Sequence, residues 1–68
     1  MVRLKVKELA KEHGFSQGRL SRNANVDIKT IKRIYRDPYT IVTTETLGKI
    51  SKALGIDASE LIESVPDD

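Results

Sequence analysis

Polar and apolar positions along the chain switch period, and each switch marks an element. Val2, Leu4 and Val6 alternate with Arg3, Lys5 and Lys7, a period of two that predicts a short extended start. From Val6 through Leu9, Ala10 and His13 the spacing becomes helical, and Gly14 closes this first helix. Phe15 comes next as an apolar staple ahead of Ser16, a good N-cap. Leu20 and Ala24 then lie one turn apart, and Ala24, Asn25, Val26 and Asp27 make a corner. Asn25 is the turn residue there, because Asn tolerates the left-handed conformation that a sharp helix exit requires, and Asp27 can cap the next helix. In the helix over 27–36, Ile31 and Ile34 face inward with Tyr35 beside them, while Lys29, Lys32, Arg33 and Arg36 populate the outer face.

Pro38 ends this helix pair near Arg36 and leaves D-P-Y-T as a loop. Tyr39 to Thr43 are rich in β-branched and aromatic side chains. Two readings stay open: a strand paired with Val2 to Leu4, or Ile41 or Val42 plugging the base of the core. Thr43 caps a helix carrying Leu47, Ile50, Ala53 and Leu54 on one face, and Gly55 terminates it. Asp57 and Glu60 form a capping pair for a short fifth helix anchored by Leu61 and Ile62. The expectation is an all-α, compact bundle of about five short helices over residues 1–64, with a short extended N-terminal segment and a frayed tail at 65–68.

Composition narrows the functional classes. With 68 residues the chain has room for one domain, and without Cys it has neither disulfides nor a thiolate metal site. A single His, His13, cannot hold a metal by itself. No apolar run approaches the ~20 residues that span a bilayer, and M-V-R-L-K-V-K-E brings charge too early for a signal-peptide core. The expected compartment is the cytoplasm, with no membrane contact. An enzyme needs a nucleophile with a base, a carboxylate pair in a cleft or a metal set, and none is present. Gly14 and Gly18 lack the Lys-Ser that would make a phosphate loop.

Net charge is only +2, but it is unevenly spread. Arg19, Arg22, Lys29, Lys32, Arg33 and Arg36 stand against Asp27 alone within residues 16–36, whereas residues 37–68 are strongly acidic. A basic helix pair suits a phosphate-tracking surface, though a solvated face would carry the same charges.

The spacing of Gln17, Leu20, Ser21, Asn25, Val26, Ile31 and Ile34 resembles the helix-turn-helix of Cro-repressor-type (Xre-like) DNA-binding transcriptional regulators, with the motif at 16–36. The flanks F-S-Q and T-T-E-T-L-G-K-I-S-K-A-L-G-I extend the resemblance over roughly residues 4–62. Ser21 stands where the family usually has Ala, and Asn25 where it usually has Gly. The resemblance implies a lambda-repressor-like fold that reads double-stranded DNA in the major groove, as a homodimer and without a cofactor, in a repressor more than an activator. Position by position it implies that Ile28, Lys29, Lys32 and Arg33 read bases. Ser16, Gln17, Arg19, Arg36, Tyr39, Thr40 and Thr43 are the implied backbone contacts. Ile28 lies about 60° from Ile31 around the helix, so it is either core filler or an apolar contact for a thymine methyl. The alternative function is an antitoxin or another protein-interaction module, using acidic residues such as Glu45, Glu60, Glu63, Asp67 and Asp68; those residues also read as a solubilising face.

Overall fold

Each helix of this chain starts or stops at a residue whose chemistry explains why. The computed structural model describes Met1–Asp67; α1 spans Val6–Glu12, α2 Gln17–Ala24, α3 Ile28–Arg36 and α4 Thr44–Leu54. One first-turn donor in each of α2, α3 and α4 is satisfied by Ser16, Asp27 and Thr43, whose side chains accept from the backbone N–H of Arg19, Lys29 and Thr46. Three exits share one device. Gly14, Asn25 and Gly55 take φ of 77°, 56° and 70°, and the next residue turns its N–H back five residues. Phe15 donates to Ala10 at 2.8 Å, Val26 to Ser21 at 3.1 Å and Ile56 to Ser51 at 3.0 Å. This closes the orphan carbonyls of each last turn and drops an apolar side chain onto the core.

Asn25 is the sole non-glycine residue with positive φ among the described residues. Its neighbour Ser21 adds a second tie: Ser21 Oγ donates to the Val26 carbonyl at 2.5 Å, bridging the corner from inside. The Ser at this place therefore has work that an Ala could not perform.

Leu20, Ile31, Ile34, Ile50, Leu61 and Val6 are the largest fully buried side chains, and α2 packs on both α3 and α4 around them. Burying each stabilises the fold by about 1.5–3 kcal/mol against leaving it in water. Leu4, Ala10, Ala24, Val26 and Leu54 complete this single core.

The base of the molecule departs from the expected bundle in three ways. Ala58–Leu61 forms one 3-10 turn, so the described residues hold four α-helices and not five. The Asp57–Glu60 capping box is present, but only four residues separate Asp57 from Ile62, too few to propagate an α-helix. Ile62 belongs instead to β2, Ile62–Ser64, which pairs antiparallel with β1, Val2–Leu4, in the register Val2↔Ser64, Arg3↔Glu63, Leu4↔Ile62. The extended start thus finds its partner here and not in Tyr39–Thr43. Pro38 only offers its carbonyl to the Leu4 N–H at 2.8 Å. Val42 packs against the core from that loop, whereas Ile41 stands 90% exposed. After β2, the Val65 N–H donates to the Met1 carbonyl at 2.9 Å, and the Met1 ammonium pairs with Asp67. Asp68 lies outside the described residues.

Candidate nucleic-acid interface

α3 carries its charges in one stripe. At about 100° per residue, Lys29, Lys32, Arg33 and Arg36 fall within an arc of about 100°, opposite the buried Ile31 and Ile34. All four are exposed, and none is paired with a carboxylate among the described residues. The stripe begins at the capped end: Asp27 Oδ1 accepts from the Lys29 N–H at 2.8 Å and so fixes the first turn. Ile28 lies at the margin of the same surface. It is half-buried and packed against the core, with its free edge beside Lys32 in the helical register.

The N-terminal ends of α2 and α4 contribute short polar groups. Ser16 is exposed, with its Oγ taking the Arg19 N–H at 3.2 Å, and Gln17 is half-buried in the first turn. Thr43 is exposed too; its Oγ1 accepts from the Thr46 N–H at 3.1 Å and donates to Thr46 Oγ1 at 3.0 Å. Such termini present unsatisfied N–H groups and partial positive charge, which suits phosphate.

Other candidate residues are placed less simply. Arg19 is engaged within the molecule: its guanidinium lies 5.4 Å from the Phe15 ring centroid and donates to the Gly14 carbonyl at 3.4 Å. Tyr39 and Thr40 sit in the turn after α3, held by the Tyr39 N–H to Asp37 Oδ1 and the Thr40 N–H to the Asp37 carbonyl, both 3.1 Å. They line an apolar groove to which no α3 residue contributes.

Arg22, counted in the basic charge of this helix pair but not among the expected DNA contacts, is also exposed. Its guanidinium occupies the open side of Gly18, where a Cβ would come within 3.4 Å of it. The signal was available, since Gly18 and Arg22 are four residues apart and so share a helix face.

A three-residue corner between two capped helices, with the second helix basic outside and apolar inside, is matched by a known domain. The family model for the Cro/C1-type HTH DNA-binding domain matches residues 5–67. The chain belongs to this family. None of the curated proteins matches the chain in sequence. As a Cro/C1-type domain it binds DNA, and α2–α3 is its helix-turn-helix. The Cro/C1-type family is one of DNA binders and not of enzymes. No helix among the described residues is long and apolar enough to cross a membrane.

Proposed function

We propose that this Cro/C1-type domain is a sequence-specific reader of double-stranded DNA that regulates transcription, as a repressor occupying its operator in homodimeric form. The observation that carries this reading is the unpaired cationic stripe of α3, anchored by the Asp27 cap and backed by Ile31 and Ile34. Placed N-terminal end first in the major groove, Lys29, Lys32 and Arg33 reach base edges, and the free edge of Ile28 meets a thymine methyl. Arg36, Ser16, Gln17 and Thr43 hold the flanking phosphates, and these contacts set register without carrying sequence. Two copies are needed for selectivity, because one short helix contacts too few base pairs.

The test is a base-substitution series on a duplex obtained by in vitro selection. Lys32→Ala and Arg33→Ala are expected to change the ranking of duplex variants, since a bidentate contact to guanine supplies about 1–3 kcal/mol of discrimination. Arg19→Ala, whose guanidinium rests on Phe15, is expected to weaken all variants by one similar, smaller factor. Salt titration should give a log–log slope of about −0.9 for each phosphate neutralised. A slope of zero, or reordering by Arg19→Ala alone, would defeat the assignment of α3 to the groove.

A further inference from the structure

The exposed large apolar side chains of this molecule are not scattered. Met1, Val2, Tyr39, Ile41 and Ile62 make up that set among the described residues, and all five line one groove of ≈ 400 Å³ between the β1–β2 sheet and the loop after α3, with Val42 at its floor. No charged side chain lines it, whereas two other depressions are lined by Arg3, Lys7, Glu8 and Lys11 or by Lys49 and Lys52. The charge at its margin, the Met1 ammonium, is paired with Asp67. In a chain whose residues are 32% charged, a neutral apolar groove flanked by an isoleucine left 90% in water marks a contact surface.

We propose that this groove is the face on which two copies of the chain pair about a two-fold axis. The proposal rests on the DNA-reading function above, which requires two reading helices, and it names the surface that joins them. Two observations favour a second copy over an unlike partner. Unlike partners are told apart by complementary charge, and this groove offers none, while a two-fold contact repeats one neutral patch and sets no like charges together. The groove adjoins the end of α3 through Tyr39 and Thr40, yet takes no side chain from the cationic stripe, so pairing leaves that stripe open to DNA. Nine residues line it, fewer than the ~20–30 a side of a standard interface. The pair is therefore weak in the free chain and is completed on DNA, where adjacent half-sites hold two copies at high effective concentration.

The experiment follows the full chain by sedimentation between about 1 µM and about 1 mM, for wild type, Ile41→Glu and Val2→Lys. Both replaced side chains are exposed, so both variants are expected to keep the wild-type helical signal. Wild type should form dimers reversibly and grow no larger. Each variant should weaken association by about tenfold or more, the scale of a lost 1.4 kcal/mol. On a selected duplex with two symmetric half-sites, Ile41→Glu should bind a single half-site as wild type does and lose the extra affinity for the pair. Wild type that stays monomeric throughout and binds both half-sites no better than Ile41→Glu would overturn the proposal and point to an unlike protein on this groove. Unchanged dimerisation in both variants, or growth beyond the dimer, would overturn it as well. If selection yields no binding duplex, the DNA reading falls, and sedimentation alone upholds or overturns the pairing.

Discussion

The helix-turn-helix and the terminal sheet are held together by opposite means. In α2–α3 the hydrogen bonds that fix caps and corner are local: Ser16 to Arg19, Asp27 to Lys29, Val26 to Ser21, and Ser21 Oγ to Val26, none spanning more than five residues. In β1–β2 the contacts join the two ends of the sequence: Lys5 to Leu61 at 2.7 Å, and Arg3 to Glu63 at 2.9 Å across 60 residues. The outer surfaces differ in the same sense, one a charged stripe and the other a neutral apolar groove. The surface that must stay fixed is built from sequence-adjacent locks. The base that supports it is closed by a long-range clasp.

Removing the anchor of the clasp is the severest test of this contrast. Leu61 is fully buried at the joint between the 3-10 turn and β2, so Leu61→Ala is expected to cost about 2–5 kcal/mol in the unfolding free energy, read by chemical denaturation. A loss no larger than that of an exposed substitution would show that the sheet hangs loosely on the helices.

The corner gives a smaller effect with a sharper signature. Asn25→Val is expected to cost about 1–2 kcal/mol, because a β-branched residue clashes at φ 56°, whereas Asn25→Gly should be neutral or slightly stabilising. Thermal unfolding of both variants checks it, and equal melting temperatures would show that the corner is not one of the locks.

Legibility in the sequence divides along the same line. Caps and exits are patterns three to five residues long, so Ser16, Asn25, Asp27, Thr43 and Gly55 could be read directly as helix boundaries. β2 could not, because Ile62–Ser64 has no alternation of its own and is extended only by partners 60 residues away. The cationic side of α3 was readable from its period, whereas the half-buried state of Ile28 was not, since it sits on the seam between the two faces. The engagement of Arg19 with Phe15 and Gly14 crosses the α1–α2 turn and leaves no periodic trace.

Acid should separate the two regions most gently. Burial alone would raise the Glu8 carboxyl, but its hydrogen bond and ion pair with Arg3 outweigh this and hold it below the ordinary value. Asp57 is held down by the Ser59 hydroxyl and N–H. Folded-state values lower than unfolded ones mean that this stabilisation is complete above the ordinary carboxylate range and is lost as pH falls through the folded values. Melting temperature should therefore drop between about pH 6 and about pH 3, less steeply in Glu8→Gln and Asp57→Asn, which cannot titrate. Both groups belong to the base; an equal slope in the two variants and the wild type would place the acid-sensitive contacts elsewhere.

The antiparallel register of Val2 with Ser64 also dictates an order of assembly. Joining positions so far apart closes a loop of nearly the whole chain, and the entropy lost in that closure is recovered only once Leu4 and Leu61 are buried together. The two central helices meet across three residues and face no such barrier. We expect them to form the nucleus, with the ends pairing after the transition state. In kinetic terms Asn25→Val should slow folding, while Leu61→Ala should leave the folding rate nearly untouched and hasten unfolding, which stopped-flow refolding and unfolding of the two variants would check.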